Sequence, residues 1–186
     1  RNTLKSDPAV DLVHFTILRP PDKQDFTPQH ELALIQFPAE ELFQRRLGEF
    51  DLIIFDRYRR RGVLQAQYFA NIARRVERGG ALLITAGETE AGVQGVFRTA
   101  LAGVLPAQPT GEGFTRPSRP APTELGRRHP VVRGLPDPQR WGQWTRQVDA
   151  RAAGGQTVLQ GANGAPLLVL DRAGEGRVPH SWSHQR

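Results

Sequence analysis

Two short apolar segments on either side of one amphipathic segment constrain the fold of this chain more than any other feature. Asp51–Asp56 (DLIIFD) and Ala81–Thr85 (ALLIT) are apolar on both faces, as strands between two layers of helices are. Leu64–Arg78 lies between them, and its apolar residues recur at the spacing of an amphipathic helix. A strand, a helix and a strand in this order predict a right-handed crossover between parallel strands.

The residues before this unit predict more of the same sheet. Asp11–Leu18 (DLVHFTIL) is β-branched and apolar, and it predicts a third strand parallel to the other two. Pro38–Leu47 predicts a helix between strands, and Asn2–Ser6 has the character of the last turn of another helix. Because a doubly wound domain begins with a strand that precedes its first helix, we expect that first strand to lie upstream of Arg1. The chain has no Met, so we expect it to be a piece of a longer protein.

The second half of the chain changes character. Pro106–Pro138 holds eight prolines and predicts a long extended arm on the surface. Trp141–Ala150 predicts a strand, in which Trp141 and Trp144 would face opposite sides. One of these two tryptophans is expected in the core, and an exposed partner would mark a contact surface.

The C-terminal region predicts an antiparallel hairpin. Thr157–Leu159 and Pro166–Asp171 are apolar runs on either side of the turn Ala162-Asn163-Gly164. A further strand is expected after the turn at 173–176, but the sequence from Pro179 makes a poor core strand. We therefore interpret 179–186 as a tail of frame-shifted or foreign sequence.

The composition limits the classes of protein to which this chain can belong. The 186 residues are 38% hydrophobic and 24% charged, which suits one α/β domain over residues 1–186. No apolar run reaches about 18 residues, so this segment is not expected to insert into a membrane. The absence of cysteine excludes disulfides, thiolate metal sites and cysteine nucleophiles. The 25 basic residues exceed the 19 acidic ones, but the two kinds are interspersed outside a cluster at 57–61, so nucleic acid is not the expected partner.

Four segments carry a resemblance to a known family. They are DLIIFD (51–56), RRVERGGALLIT (74–85), HPVVRGLP (129–136) and GEGRV (174–178). Together they resemble the class I glutamine amidotransferase-like fold, in the non-catalytic branch found within large bacterial membrane proteins. The resemblance covers roughly Asn2 to Val178. It implies a three-layer, flavodoxin-like α/β domain with a parallel sheet, here with an antiparallel C-terminal hairpin. It also implies a soluble domain of a bacterial inner-membrane protein.

The chemistry of active amidotransferases can be tested against the chain. The resemblance implies a cysteine at a sharp turn directly after the strand at 81–85, with backbone N–H groups that hold an oxyanion. That turn here is Ala-Gly-Glu-Thr (86–89), without cysteine. The active family also has a histidine and a carboxylate near the end of the domain, where His180 and His184 lie. Without a nucleophile for them to activate, glutamine hydrolysis is not expected.

The candidate ligand site lies where the predicted strands end. Ligands of open α/β sheets gather at the carboxyl ends of the strands, where helix N-termini present free N–H groups. The residues at these ends are expected to border one shared cleft: Arg19, Asp56, Arg57, Gly87 and Glu88. Glu88 could act as a base or ligand group, or be a solvated residue at a helix N-terminus. Asp56 could bind a ligand, or cap the next segment and pair with an arginine.

No metal or cofactor is expected. No group of His, Asp and Glu has the spacing of a metal site, and no glycine-rich phosphate loop follows a strand. The sequence therefore favours a catalytically silent domain that acts as an interaction or ligand-sensing module of a larger bacterial envelope protein. Its expected partners are other domains of that protein or an envelope complex. The alternative is a small-molecule hydrolase that uses Glu88 or Asp56, and an arginine-based anion or nucleic-acid binder is a weaker third hypothesis.

Overall fold

The computed structural model describes residues 2–16, 37–87 and 90–182, which form a mixed α/β structure. Its strands are β1 (Leu52–Asp56), β2 (Ala81–Ala86), β3 (Ala107–Phe114), β4 (Ala121–Pro122), β5 (Gln147–Ala152), β6 (Gln156–Gln160), β7 (Pro166–Ala173) and β8 (Gly176–Trp182). Its α-helices are α1 (Asn2–Lys5), α2 (Ala66–Glu77), α3 (Glu124–Arg128) and α4 (Pro130–Arg133). Single helical turns complete the described part: Glu41–Arg45, Leu47–Glu49, Val96–Arg98, Ala100–Gly103, Pro138–Arg140 and Ala162–Gly164.

The larger sheet has six strands in the order β1-β2-β8-β7-β6-β4. Strands β1, β2 and β8 are parallel, and β7, β6 and β4 continue the sheet in antiparallel pairings. Strands β3 and β5 form a separate antiparallel pair. The predicted α/β class is confirmed, but the sheet is mixed because the C-terminal hairpin is part of it. Among the described helices only α2 exceeds two turns, so the flavodoxin-like layering stays a prediction.

The predicted strand–helix–strand unit is confirmed. β1 and β2 pair in parallel from Leu52 opposite Ala81 to Asp56 opposite Thr85. α2 connects them and buries one face, whose members are Tyr68, Phe69, Ile72, Ala73 and Val76. This face is the one that the helical spacing of apolar residues predicts, because side chains three and four residues apart share a side of a helix.

The strand predicted at Asp11–Leu18 is wrong over its described part. Residues 11–16 form no strand, and residues 17 and 18 lie outside the described part. Val13 and Phe15 are 52% and 45% exposed, so the apolar pattern is not matched by burial. A strand forms only where a neighbour supplies a hydrogen-bond ladder, and a local preference for extended backbone is not sufficient. Since β1 ends the described sheet, a preceding strand beside it stays a prediction.

The arm predicted at Pro106–Pro138 is not simply extended. It contributes β3, β4, α3 and α4, and Ala107 is completely buried. The predicted strand at Trp141–Ala150 is confirmed only in its second part, because β5 begins at Gln147. Trp144 forms an isolated bridge with Ser118 in an irregular segment. The two-residue alternation of a strand therefore does not apply to Trp141 and Trp144, and both are half-buried along one groove.

The C-terminal hairpin is confirmed, and the interpretation of 179–186 as a tail is wrong for residues 179–182. β6 and β7 pair in antiparallel fashion, and β8 then lies between β7 and β2. Alternate residues of β8 are buried, and they are Gly176, Val178, His180 and Trp182. Pro179 argues against a central strand, since it cannot donate to a ladder. It nevertheless lies within β8, opposite Leu170 of β7, and the larger side chains at 178, 180 and 182 fall on the buried face.

His180 is buried without a polar partner. Its side chain is 0% exposed, and neither ring nitrogen has a hydrogen-bond partner of normal geometry. Its ring stacks on Phe97 at 5.3 Å and lies 4.3 Å from the ring of Trp182. Burial lowers the pKa of His180 to about 3, and the Ala107 backbone opposes this more weakly. His180 is therefore a neutral member of an aromatic stack in the core.

Two segments that carry the family resemblance contact each other at the end of α2. In the GEGRV turn, Glu175 donates its N–H to the carbonyl of Glu77 at 2.9 Å, and Arg177 donates to Gly80 at 3.2 Å. A Cβ atom on Gly176 would overlap the carbonyl oxygen of Val76. Glycine is thus required at 176 because two stretches of backbone meet there without room for a side chain.

The first prediction concerns acid stability. Because unfolding returns His180 to a pKa near about 6.5, the unfolded state binds more protons than the folded state between about pH 6.5 and 3. Stability is therefore lost as the pH falls through this window. We expect the stabilisation of His180→Phe relative to wild type to grow by about 2 kcal/mol between pH 7 and pH 5, measured by urea unfolding. His14→Gln, which changes an exposed histidine, is the control. A pH profile of His180→Phe parallel to that of wild type would contradict the prediction.

The second prediction concerns the turn that follows β7. Gly176→Ala should lower the free energy of unfolding by about 2 kcal/mol or more, because the added methyl group meets backbone on two sides. Gly48→Ala is the matched control, since nothing lies within 4 Å of a Cβ at that position. The control should stay within about 0.5 kcal/mol of wild type in the same denaturant titration. Equal stabilities of the two variants would show that the close approach at Gly176 is absent in solution.

Candidate functional site

The carboxyl ends of β1 and β2 meet through Asp56 and Thr85. These residues are opposite each other in the parallel register, and the Thr85 hydroxyl donates to the Asp56 carboxylate at 2.5 Å. The backbone N–H of Arg57 donates to the carbonyl of Thr85 at 2.9 Å. Arg57 adopts a φ of 48°, a left-handed conformation that residues other than glycine rarely take. The chain thus turns sharply as it leaves β1.

A buried carboxylate, that of Glu90, lies just beyond the end of β2. Its side chain is only 4% exposed, and Oε1 pairs with Nε of Arg59 at 2.9 Å. The other oxygen, Oε2, accepts the backbone N–H of Gly87 at 3.0 Å. Both oxygens of Glu90 therefore have partners from the same molecule, one from the loop after β1 and one from the loop after β2. A buried carboxylate needs such partners, because an unpaired charge in the interior is costly.

Arg60 makes a second connection between the same two loops. Its backbone N–H donates to the carbonyl of Gln94, and its guanidinium donates to the carbonyl of Val93, each at 2.8 Å. The arginine cluster at 57–61 thus directs two of its members, Arg59 and Arg60, to groups of the protein itself. These two arginines therefore link the loops that follow β1 and β2.

The structure places three of the five predicted site residues at one edge of the sheet. Asp56 and Arg57 are at the end of β1, and Gly87 follows β2, whereas Arg19 and Glu88 lie outside the described residues. The side chains of Asp56 and Arg57 are 71% and 54% exposed and approach to 4.0 Å. The shared cleft stays a prediction.

Sequence reasoning missed the buried ion pair at this edge, which joins Arg59 and Glu90. The arginine cluster was visible in the sequence, and so was the acidic pair in GETEAG (87–92). Neither pattern tells which carboxylate is buried. That depends on how the two loops approach each other, and residues 59 and 90 are 31 positions apart in the chain.

Of the two histidines that the resemblance indicated, His180 and His184, the structure describes only His180. His180 pairs with Ile84 on β2 and with Val169 on β7, and it is buried under Phe97. Its side chain is 0% exposed, so it does not contact solvent. His184 lies outside the described residues. His180 therefore contributes to the core and not to the strand-end site.

A shallow groove lies close to the loop after β2. Its volume is about 280 Å³, and it is lined by Ala91, Gly92, Gly111, Glu112, Gly113 and Val148. Within the described ranges, no group of three or more His, Asp or Glu side chains is placed to hold a metal ion. None of the helices described is long and apolar enough to cross a lipid bilayer.

Comparisons with known proteins identify structural likeness only. No family model matches the chain, and no curated protein matches it. The cytoplasmic protein STM1381 from Salmonella typhimurium LT2 is 19% identical, with a TM-score of 0.59 over 78% of this chain and 67% of that one. The cytoplasmic protein STM3548 from Salmonella typhimurium is 20% identical, with a TM-score of 0.58 over 81% of this chain and 65% of that one.

A third similar structure is a β-galactosidase from Bacillus circulans sp. alkalophilus. It is 13% identical, with a TM-score of 0.51, and the match covers 75% of this chain and 21% of the galactosidase. The chain thus spans about two thirds of the length of the two Salmonella proteins and about a fifth of the galactosidase. At these identities the likeness shows a shared α/β fold, and it carries no activity across.

The third prediction concerns the pair of Arg59 and Glu90. Arg59→Met leaves the Glu90 carboxylate buried with only one partner, and we expect it to lower the free energy of unfolding by about 2 kcal/mol. Adding Glu90→Gln removes the charge but keeps an oxygen that can accept from Gly87. The double variant should therefore recover stability, with a coupling energy of about 1 kcal/mol or more. Arg57→Met, at an exposed arginine, should change stability by no more than about 0.5 kcal/mol. Additive effects in the cycle would show that the pair is not formed.

Proposed function

We propose that this chain is a catalytically silent, amidotransferase-like domain that serves as an interaction module of a larger bacterial envelope protein. The observation that carries the proposal is the position of the Glu90 carboxylate. In the family that the chain resembles, backbone N–H groups after the strand equivalent to β2 hold an oxyanion. Here the N–H of Gly87 already donates to a carboxylate of the same molecule.

An internal carboxylate has two consequences at such a site. It occupies a donor that a developing negative charge would need, and it repels any anion that approaches the same point. Its own charge is balanced by Arg59 and is therefore stable in the folded protein. The turn also lacks the cysteine nucleophile of the active family, because β2 ends at Ala86 and is followed by Gly-Glu-Thr. A structural role for this carboxylate accounts for all of these features together.

The state of His180 supports the same proposal. A general base must reach the proton that it removes, within hydrogen-bond distance or through one water. His180 is fully buried in an aromatic stack, and its pKa is lowered to about 3. It is suited to packing and unsuited to proton transfer at the surface.

The hydrolase alternative has less support from the described residues. A carboxylate that acts as a base near neutral pH is normally desolvated or pressed against a like charge. The Asp56 side chain is 71% exposed and accepts a hydrogen bond from Thr85. This arrangement is typical of a carboxylate that joins two strand ends. We therefore favour binding over catalysis.

The fourth prediction tests the silent character of the domain. The purified chain should release no ammonia from L-glutamine above a buffer blank, because the chain has no cysteine and the N–H of Gly87 already donates to Glu90. An active amidotransferase in the same coupled assay is the positive control. Ammonia release that scales with the concentration of the wild-type chain and disappears in Glu88→Gln or Asp56→Asn would overturn the proposal in favour of the hydrolase.

The envelope role can be tested separately with the full-length gene product. After cell fractionation, we expect it in the membrane fraction, from which detergent but not salt should release it. Recovery in the fraction without membranes would contradict this half of the proposal and leave the assay for ammonia unaffected.

A further inference from the structure

An apolar groove that two tryptophans help to line supports a more specific inference about binding. Its volume is about 220 Å³, below the range of about 300–1,000 Å³ typical of pockets for small molecules, and it has room for one or two side chains. We call it the tryptophan groove. It is lined by Pro120, Leu135, Trp141, Trp144, Leu159, Leu167 and Ser181.

The lining is apolar and includes aromatic rings suited to a contact surface. Trp141 and Trp144 are both half-buried, so each presents part of an indole ring to the groove and part to the protein. Leu135 is 47% exposed beside them. Tryptophan residues in such positions contribute a large share of the free energy of protein–protein binding, because a large rigid ring is buried at a small cost in conformational entropy.

Hydrogen bonds fix the segment from Ser118 to Trp144, which forms one wall of the groove. The indole N–H of Trp141 donates to the carbonyl of Pro136 at 2.9 Å, and the backbones of Ser118 and Trp144 exchange two bonds of 2.7 Å. At the start of α3, Thr123 donates its N–H to Val158 and its hydroxyl to Thr157, on β6. The groove is therefore formed before any partner arrives, which lowers the entropic cost of binding.

The net charge of residues 115–146, the segment that contains both tryptophans, indicates what kind of partner fits the groove. Residues 115–146 contain seven arginines and two carboxylates, a formal charge of +5 in a chain whose total is +6. Four of these arginines lie within two residues of a residue that lines the groove, and they are Arg119, Arg133, Arg140 and Arg146. All four are exposed.

The two carboxylates of this segment are engaged locally. Glu124 pairs with Arg128 one turn along α3, and Asp137 accepts the N–H of Gln139 at 2.9 Å. Among the described residues, neither of them pairs with Arg119, Arg133 or Arg140. A partner with acidic groups on either side of an apolar side chain would meet the positive charge of these arginines and the apolar lining of the groove.

We propose that the tryptophan groove binds an acidic peptide segment by enclosing one of its apolar side chains. The proposal deepens the binding role proposed above, and it rests on that role. Single-stranded nucleic acid also combines a charged backbone with rings that stack on tryptophan. The groove favours a peptide, since Leu159, Leu167 and Pro120 give it an aliphatic lining and Ser181 is the one polar side chain among the residues that line it.

The test uses the 186-residue chain and fluorescein-labelled synthetic peptides, with binding followed by anisotropy. The probe is Asp-Glu-Asp-Leu-Phe-Asp-Glu-Asp, and its matched control replaces Leu-Phe with Ser-Gly. We expect the probe to bind at least about tenfold more tightly than the control, a difference of about 1.4 kcal/mol. Binding should also weaken as salt is raised. Equal binding of the two peptides, or no binding of the probe at about 1 mM, would overturn the proposal.

Variants locate the site. Trp141→Ala should weaken binding of the probe at least about tenfold, as the loss of an aromatic anchor does. Because this change also removes the bond to Pro136, the double variant Arg133→Glu, Arg140→Glu provides an independent test at exposed positions and should have an effect of similar size. The double variant Arg74→Glu, Arg78→Glu, at exposed positions at the end of α2, makes the same change of charge and should change the affinity less than about twofold. Unfolding midpoints confirm that each variant is folded.

Competing occupants and the proposed function are distinguished in the same series. If oligothymidylate or phosphatidylglycerol vesicles bind more tightly than the probe, and Trp141→Ala abolishes that binding, the partner is a nucleic acid or a membrane surface and the peptide proposal is wrong. Ammonia release from glutamine would overturn the silent role while leaving a positive peptide result in place. Failure of the peptide to bind would overturn only the groove.

Discussion

β8 lies between β2 and β7, so the parallel and antiparallel halves of the larger sheet are joined through its two hydrogen-bond ladders. Its buried face includes His180 and Trp182, which stack with Phe97. This burial outweighs the cost of placing an unpartnered imidazole in the core. The turn before β8 then contacts the end of α2 through backbone hydrogen bonds, which orients the helix on the sheet. The central position of one strand therefore determines the arrangement of both halves.

The loops at the carboxyl ends of β1 and β2 depend on that arrangement. Parallel neighbours bring their carboxyl ends together, and the structure joins these ends with polar contacts from Arg59, Arg60 and Asp56. In an open α/β sheet this edge is where ligands normally bind. Here its most buried charge, Glu90, is satisfied by groups of the protein itself. The polar groups at this edge link the two loops to each other. For this reason we propose that the domain binds a partner rather than catalyses a reaction.

A second surface has the opposite character. The proline-rich arm pairs with β6 through β4, and the half-buried Trp141 and Trp144 line the groove beside it. The fold thus separates a strand-end edge, where the buried Glu90 pairs with Arg59, from an apolar groove whose neighbouring segment, residues 115–146, carries a formal charge of +5.

Local patterns in the sequence determined much of this structure. The apolar run of β1, the helical spacing in α2 and the turn between β6 and β7 depend on residues close together in the chain, and all three predictions are confirmed. Tertiary contacts decided the rest. Residues 11–16 have a strand-like sequence but no neighbouring ladder, whereas β8 has a proline and is buried in the centre. The burial of Glu90 and the convergence of Trp141 and Trp144 on one groove depend on elements far apart in sequence. Whether a charge is desolvated, or which side a ring faces, is set by what packs against it, and no local spacing contains that information.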